Sequence, residues 1–266
     1  MNLEQPVAQL SASEKRALLA KLLRERANRP ERYPLSFAQQ RLWFLSQLDP
    51  ESPAYNVHRG LSVRGRVRWS AFYATLQEVV RRHKSLRTTF EELDHEAVQV
   101  VSPAGAAHAS LTDLQALPAD VQRGEVERLA LEVRQLPFNL QRGPLARVHL
   151  LRLSALDSVL LIALHHIISD GWSLAIFIRE LASIYVAFAA GQPSPLPEPS
   201  YQYVDFAVQQ RQELQGEILE GQLRHWRDRL QRSPVLELPT DRPRPAVRKA
   251  RGGAANIPCR GGSLTA

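Results

Sequence analysis

The 266-residue sequence predicts an α/β protein in which a mixed sheet is flanked by helices. Three observations support this prediction. Segments with the spacing of amphipathic helices alternate along the chain with short apolar segments that have the length of strands. Two of the apolar segments are separated by a short turn that begins with Ser and ends with Asp, which indicates an antiparallel hairpin rather than a purely parallel sheet. Hydrophobic residues make up 44% of the chain and charged residues 23%, which is typical of a folded protein.

The N-terminal residues predict one short helix and a linker. Ser11 followed by Glu14 is a capping-box pattern, in which each side chain can hydrogen-bond to the other residue's backbone. The leucine-rich segment 17–23 is therefore expected to be helical, and residues 30–34, with a proline at each end, are expected to be a linker. Residues 1–33 would then form an N-terminal helix and linker that precede the main fold.

The next segments carry clear start and stop signals. Ser36 is a candidate N-cap for a helix over residues 37–48, and Asp49-Pro50 would end it because the residue before a proline disfavours the helical conformation. Residues 55–63 alternate loosely between apolar and polar side chains, as a strand does. Apolar residues at helical spacing then predict an amphipathic helix over residues 69–83.

The middle of the sequence predicts the remaining strands and one more helix. Short apolar or β-branched segments indicate strands at residues 88–91, 97–101, 145–153 and 158–165. A helix is expected from residue 118 to residue 136. The last two strands are separated by Ser154-Ala155-Leu156-Asp157, so we expect them to pair as a hairpin.

The last third of the sequence is helical and then loses its periodicity. Apolar residues trace one helical face from Ser173 onward, and Gly191 and Pro193 end it. A proline-rich linker, residues 193–199, follows. Two further helices are expected at residues 201–214 and 217–230. Beyond Ser233 the chain is rich in Pro, Arg and Gly without a repeating pattern, and it is expected to be extended or disordered.

Composition excludes several classes of function. The net charge is +7, but six basic residues and no acidic residue follow Asp241, so residues 1–241 are nearly neutral. That basic tail lacks interleaved aromatic residues, so nucleic-acid binding is not expected. No uninterrupted apolar run approaches the roughly 18 residues that cross a bilayer, and no signal peptide is evident. The single cysteine, Cys259, cannot form an internal disulfide, so we expect a cytoplasmic protein with no membrane partner.

The segment His165-His166-Ile167-Ile168-Ser169-Asp170-Gly171 raises a specific question about chemistry. Because side chains alternate along a strand, the two histidines should point to opposite faces if the strand extends through His166. One histidine is then a candidate for chemistry, and the other for packing or for holding the loop by a hydrogen bond. Asp170 would sit at the head of a helix, where free N–H groups favour a carboxylate. Gly171 would allow positive φ or let another molecule approach the backbone.

The residues alone leave structural and catalytic interpretations open. A buried strand often ends in a polar residue, and Asp-Gly before a helix is common turn chemistry. Metal binding is disfavoured because adjacent histidines on opposite faces are a poor ligand pair, and Cys259 lies far along the chain. A Ser–His–Asp triad remains open, although Ser169 does not lie in a G-x-S-x-G turn.

Five segments, taken in order, resemble the condensation domains of nonribosomal peptide synthetases. They are Ser36–Leu45 (SFAQQRLWFL), Arg82–Phe90 (RHKSLRTTF), Leu164–Ser173 (LHHIISDGWS), Tyr203–Val208 (YVDFAV) and Leu236–Pro245 (LELPTDRPRP). Lys84 stands where the family usually has a glutamate, and Gln209 where a tryptophan is common. The HHxxxDG pattern alone occurs in several acyltransferase families, so it is the order of the segments, from residue 36 to about 245, that makes the resemblance specific.

The resemblance implies a fold of two chloramphenicol-acetyltransferase-like lobes with a tunnel between them. Residues 34–192 would be the N-terminal lobe, residues 193–245 the crossover helices, and residues 246–266 a disordered basic tail. Such domains join a donor acyl or peptidyl thioester to the amine of an acceptor aminoacyl thioester. Both thioesters would arrive on phosphopantetheine arms of partner carrier proteins, with no cofactor bound by the chain itself.

The resemblance also implies a role for each residue of the segment. His166 would face the tunnel and either accept the proton of the attacking amine or position the amine, and His165 would support it from the interior. Asp170 would be a structural anchor, and Gly171 would keep the path of the arm clear.

The family's second-lobe motifs do not follow Pro245, and neither does the arginine that pairs with the motif aspartate. We therefore expect Asp170 to lose electrostatic support, and the chain to be active only if a second lobe is supplied, for example by another chain. A non-catalytic or vestigial carrier-protein-binding fragment and a stand-alone HHxxxDG acyltransferase are the alternatives.

Overall fold

A computed structural model describes residues 11–27, 29–103, 105, 107–231, 233, 234, 239 and 243. Its helices are α1 (Ala12–Ala27), α2 (Phe37–Leu48), α3 (Trp69–Arg82), α4 (Ala119–Gln135), α5 (Gly171–Ala189), α6 (Tyr203–Glu213) and α7 (Gly216–Leu230). Its strands are β1 (Glu31–Pro34), β2 (Asn56–Arg64), β3 (Thr88–Leu93), β4 (Glu96–Val101), β5 (Ala109–Asp113), β6 (Ala146–Arg152) and β7 (Asp157–His165). The expected tail, residues 246–266, lies outside the described residues, as does segment 236–245 apart from Pro239 and Pro243.

The strands form two sheets. In the smaller sheet, β4 lies between β1 and β3, and both pairings are antiparallel. The larger sheet has the order β2-β7-β6-β5, with β5 parallel to β6 and the other pairs antiparallel. The larger sheet is therefore mixed and is flanked by helices, which confirms the predicted fold class.

β7 is apolar along most of its length because helices cover both of its faces. Leu160, Ile162 and Leu164 belong to the buried cluster that includes side chains of α3 and α5. Leu161, which points the other way, belongs to a second cluster with Leu129 of α4. A strand buried on both faces has no polar positions to alternate with apolar ones, so β7 reads as a continuous hydrophobic run.

The predicted capping box at Ser11 and the predicted N-cap at Ser36 are both confirmed, and Ser36 also forms a capping box. The Ser36 hydroxyl accepts a hydrogen bond from the Gln39 N–H (3.2 Å), and the Gln39 side-chain oxygen accepts one from the Ser36 N–H (3.0 Å). Ser11 and Glu14 form the same arrangement, with the Ser11 N–H donating to the Glu14 carboxylate at 2.8 Å. α2 covers the predicted residues, whereas α1 is longer than the predicted segment 17–23.

Two strands correct the expectations. Residues 30–34 were expected to be a linker, but Glu31–Pro34 form β1 and pair with residues 98–101 of β4. Proline is tolerated there because β1 is an edge strand and its last residue need not donate a ladder hydrogen bond. Strand β5 was not predicted, and it also lies at an edge, beside β6.

α5 is long and apolar enough to cross a membrane, with 19 residues and a mean hydropathy of 1.5, and it is the one such helix among the described residues. It nevertheless packs as a core helix. One face is buried in the main hydrophobic cluster through Leu174, Phe177, Leu181 and Ile184. Glu180, near its middle, forms an ion pair with Arg82 of α3. A buried face and an internal ion pair are features of a helix that packs within a protein.

The last two helices differ in how they contact the rest of the chain. α6 is tied to α2 because the Tyr203 and Ser36 hydroxyls hydrogen-bond at 2.8 Å, and the Arg211 guanidinium donates to the Leu35 carbonyl at 2.7 Å. Val204 of α6 is also buried. α7 has no buried residue and exposes Ile218, Leu223, Trp226 and Leu230.

Candidate active site

Four of the five segments noted in the sequence meet at one cleft with a volume of about 460 Å³. The first segment contributes Arg41 to its lining, the second His83, the third His166 and the fourth Tyr203. α2, the end of α3, the turn after β7 and α6 therefore converge on the same space. Tertiary packing brings these segments together, since they are far apart in the sequence.

His165 ends β7 with its ring inside the protein. The residue is 5% exposed, and its ring lies 6.4 Å from that of Tyr55 and 6.1 Å from that of Phe138. Its Nδ1 accepts a hydrogen bond from the Ile167 N–H at 3.1 Å. Burial lowers the pKa of His165 to about 4, with the neighbouring His166 as a second cause. The ring is therefore neutral at pH 7 and carries its proton on Nε2.

His166 is exposed and lines the cleft. Its backbone N–H donates to the Tyr55 carbonyl at 2.8 Å, which fixes the residue at the start of the turn. Neither of its ring nitrogens hydrogen-bonds to another residue of the described chain, so both can interact with a bound molecule. The opposite environments of the two histidines agree with the alternation expected for the end of a strand.

Asp170 is the N-cap of α5, which begins at Gly171 and thus two residues before the expected Ser173. Its Oδ1 accepts a hydrogen bond from the Ser173 N–H at 2.7 Å, and its own N–H donates to the Ser173 hydroxyl at 2.7 Å. The Ser173 backbone N–H is the main reason that the pKa of Asp170 is lowered. The helix N-terminus therefore supports the Asp170 carboxylate electrostatically, and the effect of an arginine partner stays a prediction.

Gly171 does not have positive φ, so the first explanation offered for this glycine is wrong. A Cβ atom at this position would meet no atom within 4 Å. The space beside Gly171 is therefore open to another molecule, and ordinary turn chemistry remains the other explanation.

Buried polar contacts hold the turn between His165 and Asp170. Gln39 of α2 is 2% exposed, and its amide nitrogen lies 3.3 Å from the Gln99 side-chain oxygen and 3.4 Å from the Ile167 carbonyl oxygen. The Ser169 hydroxyl donates to the His165 carbonyl at 3.1 Å. Because the Ser169 hydroxyl is buried and engaged with the backbone, this geometry does not favour a Ser–His–Asp triad.

His83 and Glu180 form a pair that the sequence analysis missed. The His83 Nε2 lies 2.8 Å from the Glu180 carboxylate, which also accepts from the Arg82 guanidinium at 3.3 Å. Arg82 is buried, and it also donates to the Pro197 carbonyl at 2.7 Å. His83 belongs to the second family-like segment, so that segment was the signal that could have identified it.

The arrangement suits proton transfer better than metal chemistry. An exposed imidazole faces the cleft, a neutral imidazole holds the backbone of the turn at Ile167, and Asp170 caps a helix four residues after His166. A neutral imidazole can accept a proton from an attacking group or hold that group by a hydrogen bond. Among the described residues, no group of three or more His, Cys, Asp or Glu is placed to hold a metal ion.

Comparison with known proteins identifies related sequences. A family model described as "Condensation domain" matches residues 30–264, a longer region than the one that carries the motifs. A linear gramicidin synthase protein of Brevibacillus parabrevis is 46% identical over 225 residues, which are 84% of this chain and 3% of that protein. Chondramide synthase of Chondromyces crocatus is 42% identical over 219 residues, or 82% of this chain and 6% of that protein.

A solved structure extends the comparison to the fold. The starter condensation domain of rhizomide synthetase RzmA aligns with a TM-score of 0.69 and 24% identity, covering 76% of this chain and 48% of that one. The chain thus spans a few per cent of the curated relatives and about half of the solved domain.

Proposed function

This chain belongs to the condensation-domain family of nonribosomal peptide synthetases, and we propose that it contributes His166 to amide-bond formation between two thioesters. One observation carries the proposal. Of the two adjacent histidines, His166 is the one exposed to the cleft where the family-like segments meet, while His165 is buried.

The proposed reaction transfers an acyl group from sulfur to nitrogen. The amine nitrogen of the acceptor aminoacyl thioester attacks the carbonyl carbon of the donor thioester. The new C–N bond forms, the C–S bond breaks, the donor thiol leaves and the nitrogen loses a proton. The His166 ring accepts that proton or positions the amine by a hydrogen bond, and both roles require a ring nitrogen without a proton.

The other residues of the segment have supporting roles in this proposal. His165 fixes the backbone of the turn through the Ile167 N–H, and Asp170 caps α5. The open space at Gly171 lets a substrate arm pass beside the helix. His165 and Asp170 thus position His166, Gly171 gives the arm room, and none of the three takes part in the bonds that form and break.

The proposed partners are peptidyl and aminoacyl carrier proteins, which deliver both thioesters on phosphopantetheine arms. The cleft volume of about 460 Å³ lies within the range of small-molecule sites, so it can hold the end of such an arm. Because the chain spans 48% of the solved domain, we propose that a second lobe completes the site. We further propose that the protein acts in the cytoplasm and binds no cofactor of its own.

The test is amide formation between two loaded carrier proteins. The chain is assayed alone and together with the C-terminal half of a homologous condensation domain. We expect little product from the chain alone and robust product from the mixture. In the mixture, His166→Ala should lower the rate at least about 100-fold, the low end for loss of a general base. His58→Ala is the matched control, because His58 is exposed on β2 and does not line the cleft.

Three outcomes would contradict the proposal. Robust product from the chain alone would remove the need for a second lobe. Equal rates for His166→Ala and the unmodified chain in the mixture would refute the role of His166. Binding of loaded carriers without product in either preparation would favour the alternative of a carrier-protein-binding fragment.

A further inference from the structure

A small apolar cavity adjoins the cleft. Its volume is about 100 Å³, and some of its lining residues also line the cleft, namely His83, Ser85, Ile168, Ser169 and Ser173. Its other lining residues are all apolar, namely Leu86, Leu164, Ile176 and Phe177. The cavity is therefore a side pocket of the cleft, with polar groups at its mouth and hydrocarbon at its end.

Packing and hydrogen bonds keep the cavity in shape. Leu164 and Phe177 belong to the main hydrophobic core, so the end of the cavity is part of a packed interior. At the mouth, His83 is held by the Glu180 carboxylate at 2.8 Å, and Ser169 is held by the His165 carbonyl at 3.1 Å. Because these side chains already have partners, they do not turn inward to fill the space.

We propose that this cavity receives the aliphatic side chain of the acyl or aminoacyl group whose thioester lies beside His166. An engineered cavity of about 150 Å³ lined by Leu, Ile and Phe stays dry and admits benzene. The present cavity of about 100 Å³ has a similar apolar end, so by proportion it has room for about four carbon atoms. That is the size of an isobutyl group. The inference rests on the proposed function and adds a substrate preference to it.

The test measures the binding of small thioesters to the isolated full chain. NMR chemical shifts of the isoleucine δ1 methyl groups and the histidine rings report the binding. The probes are the N-acetylcysteamine thioesters of leucine, glycine and 4-methylpentanoic acid. We expect a branched probe to shift the Ile176 methyl and the His166 ring together. We also expect it to bind at least about tenfold more tightly than the glycyl probe, because extra methylene groups in an apolar pocket discriminate by that factor or more. Preference for either branched probe supports the inference and shows whether the group that enters carries an amine.

Variants at one position change the cavity without touching the histidines. Ile176→Phe fills the space and should reduce the affinity for the branched probe to that for the glycyl probe, which stays unchanged. Ile176→Ala enlarges the space and should move the preference towards a phenylalanyl thioester, so the two variants test the same claim in opposite directions. Ala175→Phe is the matched control, because Ala175 is exposed on the same helix and lines neither space.

The outcomes separate this inference from the proposed function. If branched and glycyl probes shift His166 with equal affinity and leave Ile176 unmoved, the side-chain pocket is refuted while the proposed function stands. If no thioester shifts His166, even in the mixture with the C-terminal half of a homologous condensation domain, the proposed function itself fails.

Discussion

At the scale of single residues, the main feature of this site is that two adjacent and chemically identical side chains have opposite environments. The ring of His165 lies between Tyr55 and Phe138, and burial lowers its pKa to about 4. The ring of His166 faces an open cleft. One imidazole is therefore fixed in its neutral form as part of the structure, and the other lines the cleft to which the proposed function assigns the substrate.

The buried imidazole makes the stability of the fold depend on pH. The folded pKa of His165, about 4, lies below the ordinary value of 6.5, so between these values the unfolded chain binds a proton that the folded chain excludes. The folding stability that depends on a neutral His165 ring is fully present above pH 6.5 and is lost as the pH falls towards 4. A shift of this size corresponds to about 3 kcal/mol of unfolding free energy.

His165→Asn tests this prediction, because asparagine can still accept a hydrogen bond from the Ile167 N–H but does not titrate. Urea unfolding between pH 4 and 7.5 should show a shallower loss of stability on acidification than in the unmodified chain. His58→Asn, at an exposed position, should leave the pH dependence unchanged. An identical slope in His165→Asn and the unmodified chain would mean that another group is responsible.

The sequence could predict part of this residue-scale picture. Alternation along a strand is a local property of the backbone, and it predicted the opposite exposure of His165 and His166, although β7 ends at His165 and His166 begins the turn. The pair of His83 and Glu180 did not follow, because the two residues are 97 positions apart and meet only when α5 packs on α3.

At the scale of elements, α5 and β7 hold the proposed catalytic segment from both ends. β7 is paired on both sides, and its last residue still donates to the Leu145 carbonyl at 2.9 Å. α5 starts directly after Asp170, whose carboxylate satisfies a free N–H of the first turn. Only the residues from His166 to Asp170 lie between these two elements, so the turn has little freedom to move.

The cap on α5 gives a prediction that belongs to the element. Asp170→Ala should lower the unfolding free energy by about 1 kcal/mol, because the Ser173 N–H loses its acceptor. Asp170→Asn should be nearly neutral at pH 7, because asparagine is an equally good cap. Chemical denaturation of both variants tests this, and equal losses would show that the charge matters more than the hydrogen bond.

The cap should also make stability depend on pH, in a more acidic range than the one in which His165 acts. The pKa of Asp170 is lowered below 3.8, chiefly by the Ser173 N–H. The stability that the ionised Asp170 carboxylate adds to the fold is therefore present above pH 3.8 and is lost as the pH falls below that value. Urea unfolding below pH 4 should show that this acid-dependent loss is absent in Asp170→Asn.

Element boundaries were predictable where local chemistry fixes them. Ser36 and Asp49-Pro50 gave the bounds of α2, because a cap and a proline act within a few residues. β1 was missed because its terminal proline suggests a linker, and β5 was missed because its partner β6 lies far along the chain. Both are edge strands that pair with one neighbouring strand, so their extended conformation depends on a contact that their own residues do not reveal.

At the scale of the whole molecule, stability should be unevenly distributed. The core that surrounds β7 includes side chains of α2, α3 and α5, whereas α7 has no buried residue within the described chain. The sequence predicted a helix at the position of α7 correctly. It could not show that the apolar side chains of α7 have no partner there, because periodicity reveals a face and not what covers it.

Two tryptophans allow a direct comparison of these regions. Trp43 is 7% exposed and lies 6.5 Å from the ring of Phe90, whereas Trp226 is 58% exposed on α7. Trp43→Ala should cost about 3–5 kcal/mol of unfolding free energy, as for other large-to-small core substitutions. Trp226→Ala should change it by less than about 0.5 kcal/mol.

Urea denaturation of the two variants measures the difference, and hydrogen exchange of the unmodified chain locates it. We expect the amides of α7 to exchange before those of β7, because a helix without buried side chains can unfold locally while the core stays intact. A loss for Trp226→Ala close to that for Trp43→Ala, together with slow exchange in α7, would mean that the isolated chain covers this face in solution. In that case α7 would belong to the stable core of the isolated chain.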